Sequence, residues 1–306
     1  MDKIGLTSLI LTICVAPAFG VEQIVLAPLF EYPVPPDEIE ALPLRSDWMM
    51  DNFWKPMDFG SRQTIEQARV NHAFEVYAIA MQWANKDKVT KSVAELLKKL
   101  KKNPTLAVQF TLAAEENLYG PRASFWIDEV YKNFLVETLK INKIPTHLRN
   151  RWKNQLETLT ASEPGKKAPE LQFIDKDGGS QRYFAMSTPT VLIFADSKDP
   201  NIRLDILRSE TDTELTRLLT QGKLNIIFID PNTEGADISS LPERWIGGKL
   251  KPDVKNPYDT RVLPTVYLIG PDTKILSRQY SIPMALTEII PICNGKISNQ
   301  LPGNNP

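Results

Sequence analysis

The sequence predicts an all-α domain followed by an α/β domain, and three observations lead there. Between residues 48 and 161 apolar residues recur at three- and four-residue steps, with no strand signal among them. Residues 162–167 (Ser-Glu-Pro-Gly-Lys-Lys) are polar and broken by Pro-Gly, which marks a boundary. Beyond them short apolar runs alternate with helical segments. The chain has 306 residues, 42% hydrophobic and 24% charged, an ordinary globular composition. That length suits about two domains.

The first 20 residues read as an export signal. Lys3 supplies the positive end, Ile4 to Val15 an apolar run, and Ala18 and Gly20 small residues at the cleavage site. Cleavage is expected after Gly20. The apolar run is shorter than the roughly 20 residues a bilayer span requires. No later segment reaches that length without charges. Leu11-Thr12-Ile13-Cys14 is a weak lipobox, because Ile13 is bulky for the position before a lipidated cysteine. Export to a periplasm is therefore the favoured reading, with anchoring through Cys14 or secretion as alternatives.

Residues 21–47 form a Pro-rich arm, with Tyr32-Pro33-Val34-Pro35-Pro36 favouring extended backbone. From Trp48 the pattern is helical. Ile65, Ala68, Val76, Ile79 and Trp83 form one stripe of the first helix and Val70, Phe74, Tyr77 and Met81 a second, which predicts a largely buried helix. A second helix runs from Val89 through Leu100. Asn103-Pro104 reads as an N-cap and first helical position for a third, through Phe110 and Leu118. Ser124 is the expected cap of a fourth, which turns Trp126, Val130, Phe134 and Leu135 inward, and Pro145 starts a fifth through Leu148, Trp152, Leu156 and Leu159. The helical domain is thus placed at 48–161.

The α/β domain is placed at 165–297, followed by a tail at 298–306. Strands are expected at Leu171–Ile174, Val191–Phe194, Leu224–Ile229, Val266–Ile269 and Ile275–Ser277. Asp175 to Gly179 is a turn, Leu204 to Leu219 is helical, and Ile282 to Cys293 closes with a helix. The order β-β-α-β-α-β-β-α implies parallel crossovers and a terminal hairpin.

The net charge of −1 gives no general attraction to nucleic acid or anionic membranes. The Lys-rich run from Lys98 to Lys102 reads as a solvated helix end. Phosphate-loop, dinucleotide-loop, nucleophile-elbow and zinc-protease motifs are absent, and no cofactor or metal is expected. Cysteine occurs at Cys14 and Cys293 only. His72 reads as a core residue of the first helix and His147 as exposed.

Three stretches carry a family resemblance. Gly165-Lys-Lys-Ala168-Pro169-Glu-Leu-Gln-Phe173, followed by Asp177-Gly178, resembles the opening of peroxiredoxin- and TlpA-like thioredoxin domains. Tyr258-Asp-Thr-Arg-Val-Leu263-Pro264-Thr265-Val-Tyr267-Leu268-Ile269 resembles the segment that carries the superfamily's cis-proline beside the active site. Phe194 to Arg203 falls where that superfamily has its redox motif. By that alignment Asp199-Pro200-Asn201-Ile202 stands in place of Cys-x-x-Cys, with Asp199 at the first cysteine and Ile202 at the second. The whole chain is similar to Bacteroidetes-type thioredoxin-like proteins with an N-terminal helical domain of the DUF5106 type. Asn52-Phe-Trp54-Lys-Pro-Met-Asp58-Phe59 and Leu118-Tyr119-Gly120-Pro121 carry the N-terminal part of that likeness.

The resemblance implies a thioredoxin-like fold, a cis Pro264, and a groove at Leu263, Pro264 and Thr265 that takes extended peptide. Thiol exchange needs an attacking thiolate and a resolving thiol, which Asp199 and Ile202 cannot supply. Asp199 reads as an N-cap ahead of Pro200. The leading expectation is a non-enzymatic envelope protein that binds an unidentified protein or peptide. The alternatives are an oxidoreductase using Cys293 or a partner's thiols, and a metal- or carboxylate-dependent hydrolase using Asp196 and Asp199.

Overall fold

The computed structural model describes residues 26–60, 65–121, 123–232 and 235–295. The export signal, Cys14 and the tail at 298–306 lie outside them. Helices α1 (Leu42–Asn52), α2 (Gln67–Met81), α3 (Lys86–Leu100), α4 (Pro104–Leu118), α5 (Asp128–Leu139) and α6 (Thr146–Ala161) precede every strand. Their core is aromatic, with Phe53, Phe74, Tyr77, Phe110, Phe134 and Trp152 fully buried. Tyr77 donates to Ser92 (2.8 Å), whose hydroxyl reaches the Met50 carbonyl and so ties α1, α2 and α3 together.

The arm packs rather than swings free. Leu29, Phe30 and Tyr32 lie against the helical core, and Arg69 donates to the carbonyls of Ala27 and Pro28. Helix α1 begins at Leu42, six residues before Trp48, so the arm expected to reach residue 47 ends earlier. Pro43 sits in the first turn, where its missing N–H would have had no partner anyway. Two further expectations fail. Ser124 does not cap α5, whose N-cap is Ile127 without a side-chain bond. On α2 the second stripe is buried, but Ile79, and Trp83 just past the helix end, are about half exposed. Asn103 does cap α4, accepting from the Leu106 N–H at 3.2 Å.

The C-terminal half contains β1 (Leu171–Asp175), β2 (Ser180–Tyr183), β3 (Thr190–Phe194), α7 (Pro200–Thr211), α8 (Thr213–Thr220), β4 (Asn225–Asp230), β5 (Ile246–Leu250), β6 (Thr265–Ile269), β7 (Ile275–Gln279) and α9 (Ile282–Cys293). One sheet of order β2-β1-β5-β4-β3-β6-β7 joins all seven. β3 pairs parallel with β4 and β4 with β5, while β6 is antiparallel to both β3 and β7. The helix expected between β4 and β6 is therefore replaced by strand β5, and the pairing of β6 is antiparallel rather than parallel. β2 is an added edge strand. Leu204 and Leu207 face out of α7, and Ile202 and Ile206 carry its buried side. The residues of α7, α8 and α9 share one core with Val191, Ile193, Ile226, Phe228, Val266 and Leu268. No helix among the described residues is long and apolar enough to cross a membrane.

Candidate functional site

The strand register collects the candidate residues at one end of the central strands β3 and β6. Phe194, the last residue of β3, pairs with Thr265, the first of β6. Pro264 is thus beside the loop that leads from β3 into α7. The Leu263–Pro264 bond is cis. On the other side Val266 pairs with Gln279, which brings Tyr280 and the start of α9 level with Pro264. Leu263 is 38% exposed, so the rim presents an apolar side chain to solvent.

Asp199 is the N-cap of α7. Its carboxylate accepts from the Asn201 N–H at 2.8 Å, and Pro200 follows at the first position. Ile202 is 4% exposed and belongs to the core. Asp196 accepts from the Lys198 N–H at 2.8 Å. Behind this loop, fully buried Asp230 accepts from the N–H groups of Ser197 and Asn232, both at 2.8 Å. The Ser197 hydroxyl accepts from the Asp237 N–H at 2.7 Å. These bonds use the carboxylates to fix backbone. Among the described residues no group of three or more His, Cys, Asp or Glu is arranged to hold a metal.

The segment before Pro264 is held by the helical domain. Asp128, the first residue of α5, reaches Arg261 at 2.5 Å and Arg278 with its other oxygen. Asp259 meets the same pair, at 3.2 Å from Arg261 and 2.7 Å from Arg278. Two carboxylates and two guanidinium groups therefore form a closed, mostly buried set. An aromatic frame surrounds it. Arg261 lies 4.1 Å above the Tyr119 ring, Trp126 packs on Tyr280 at 5.0 Å, and Arg278 is 5.6 Å from Tyr280. Burial works against ionisation of Asp128, but Arg278 and Arg261 outweigh it and hold its carboxyl below the usual range. Burial likewise opposes the charge on Arg261, and Asp128 and Asp259 push its pKa up all the same. The hydroxyl of Ser162, just past α6, adds a bond by accepting from the Asp259 N–H at 3.2 Å.

Sequence reading singled out Asp199 to Ile202 and Leu263 to Thr265 but missed this cluster. Asp128 is 133 residues from Arg261 and 150 from Arg278, and charged residues at such separations give no local signal. The only hint was that Tyr119 and Arg261 both fall inside the stretches that carry the family likeness.

The other candidates lie elsewhere. Helix α9 starts at the Pro264 edge and runs for 12 residues, about 18 Å at 1.5 Å each, before it reaches Cys293. There Asn294 bonds to Arg217 and Glu214 of α8. Burial pushes the Cys293 thiol up to about 11. His72 is exposed on α2, not a core residue, with Glu75 at 3.7 Å. His147 is exposed at the start of α6.

The family model for the domain of unknown function DUF5106 matches residues 12–162, ending one residue past α6. No curated protein matches the chain. Among solved structures, a thioredoxin-like protein from Bacteroides caccae aligns with TM-score 0.65 at 18% identity, covering 87% of this chain and 99% of that one. A conserved protein of unknown function from Bacteroides fragilis aligns with TM-score 0.38 at 21% identity, over 42% of this chain and 99% of its own. A thiol-disulfide oxidoreductase from Bacteroides fragilis aligns with TM-score 0.31 at 18% identity, over 40% of this chain and 99% of its own. The chain thus joins a helical region that matches the DUF5106 model to a C-terminal half of thioredoxin-like fold.

Proposed function

We propose that this is an exported protein of the cell envelope whose thioredoxin-like domain is redox-inactive and binds an extended protein or peptide segment beside Pro264. The observation that carries this reading is the start of α7. Asp199 is committed to a helix cap and Ile202 to the core, next to a cis-proline edge that is otherwise intact. A carboxylate forms no mixed disulfide, and an aliphatic side chain resolves none. That end of the sheet nevertheless retains a cis-proline turn before Thr265 and partly exposed apolar side chains at Leu263 and Tyr280, which suit an extended segment. The reading as an exported protein comes from the apolar run Ile4 to Val15 and the small residues Ala18 and Gly20.

An oxidoreductase using Cys293 gains no support. That thiol is about a sheet length from Pro264, and its raised pKa keeps it protonated at neutral pH. A hydrolase using Asp196 and Asp199 gains none either, since both carboxylates accept backbone N–H bonds.

The test is a nuclear magnetic resonance titration of the mature protein with a library of extended peptides. The expected shifts cluster at Ser197 to Asn201, Leu263 to Val266 and Tyr280, and Leu263→Glu removes them. Binding that shifts other regions only, or that survives Leu263→Glu, contradicts the reading.

A further inference from the structure

A cleft lies in the helical domain, and it shares no residue with the Pro264 site. It opens between the end of α3 and the start of α4 and encloses about 1100 Å³. Its floor is apolar: Met57 and Leu106 are buried, and Phe59 and Ile65 are half-buried. Its rim is cationic. Lys98, Lys99 and Lys102 line it against a single acid, Glu95.

The lysines of this run differ in their partners. Lys101 pairs with Glu137 at 2.8 Å. Lys98, Lys99 and Lys102 meet no carboxylate among the described residues, and Lys99 instead lies 5.0 Å over the Phe59 ring. Elsewhere Lys88, Lys132, Lys140 and Lys255 each have an acid within 2.8 Å. Uncompensated positive charge therefore gathers over an apolar basin in a chain whose net charge is −1. A solvated helix end accounts for exposed lysines but not for a recessed apolar floor beneath three of them.

We infer that this cleft binds an anionic amphiphile, a molecule with one acidic head group and an acyl-like body. The head group would meet Lys98 and Lys102, and the chain would cover Phe59, Ile65 and Leu106. Burial of the chain supplies most of the affinity. The lysines supply selection by charge. The proposal is independent of the peptide groove, because no residue is shared between the two.

The test is calorimetric titration of the full mature chain with dodecyl phosphate below its micelle concentration. Inorganic phosphate and dodecyltrimethylammonium serve as comparison probes. Saturable one-to-one binding of dodecyl phosphate is expected. Lys98→Ala with Lys102→Ala should weaken it roughly tenfold or more, the scale of losing charge-assisted bonds. Lys143→Ala with Lys176→Ala, at exposed lysines elsewhere, should leave it unchanged. Pelleting with phosphatidylglycerol vesicles, lost in the Lys98/Lys102 variant, would identify a lipid head group as the source; no pelleting would identify a free amphiphile. Equal binding of the cationic amphiphile, equal binding of inorganic phosphate, no binding of dodecyl phosphate, or an unaffected Lys98/Lys102 variant would each overturn the inference.

Discussion

Asp128 and Arg261 stand 133 residues apart in the chain and 2.5 Å apart in space. Their pairing links the first turn of a helix in the DUF5106-matched region to the segment that leads into the cis-proline of the thioredoxin-like domain. Arg278 and Asp259 complete the set, so each guanidinium has two carboxylates and each carboxylate two guanidiniums. The Pro264 edge is therefore a product of both domains.

Asp128→Asn should destabilise the protein strongly. Removing one partner of a buried ion cluster leaves the remaining charges desolvated and uncompensated, at a cost of about 3–5 kcal/mol. Denaturant unfolding checks this. A change below about 1 kcal/mol would mean that the cluster is solvated and adds little.

The same pair sets an acid dependence. The Asp128 carboxyl is held below its unfolded value of about 3.9, so its stabilisation is complete above that pH and is lost as pH falls through the lower folded value. The gap in unfolding midpoint between the parent and Asp128→Asn should be constant from pH 7 to about 5 and narrow below about 4. A gap that widens on acidification contradicts the assignment.

How far these features were legible in the sequence depended on what marks each one locally. The helices of the first domain were readable because residues such as Leu96, Leu97 and Leu100 recur on one face. Helix α1 was misplaced because Pro43 read as more of the Pro-rich arm, although a proline suits a first helical turn. Strand β5 was invisible because Ile246-Gly-Gly-Lys-Leu250 carries two glycines, which weaken a strand signal. The fold requires one of them: the Phe173 ring on β1 occupies the space where a Cβ of Gly248 would go. Strand β2 is Ser-Gln-Arg-Tyr, with three exposed residues, and reads as loop. The loop into α7 was legible because Asp199-Pro200 precedes a helical pattern and so reads as an N-cap and first helical position. The charge cluster was not, because Asp128, Asp259, Arg261 and Arg278 look like surface residues until the fold brings them together.

Asp199→Ala should lower stability by about 1 kcal/mol, the usual loss for an N-cap side chain. Thermal unfolding of the pair of proteins measures it. A loss of several kcal/mol would point to a further role for that carboxylate.

Cys293 should react slowly. With its thiol pushed up to about 11 by burial, little thiolate exists at neutral pH. Alkylation by iodoacetamide, followed by intact mass, should be far slower than for a free cysteine at pH 7.5 and should rise steeply towards pH 10. Rapid labelling at pH 7.5 would show an activated thiol instead.

On the proposed reading, the Pro264 site carries out no thiol–disulfide exchange. Reduction of insulin by dithiothreitol, followed by turbidity, tests it most directly with the mature protein and its Cys293→Ser variant. The account predicts that both leave the rate at the uncatalysed baseline. Acceleration by the parent that disappears in Cys293→Ser would contradict it.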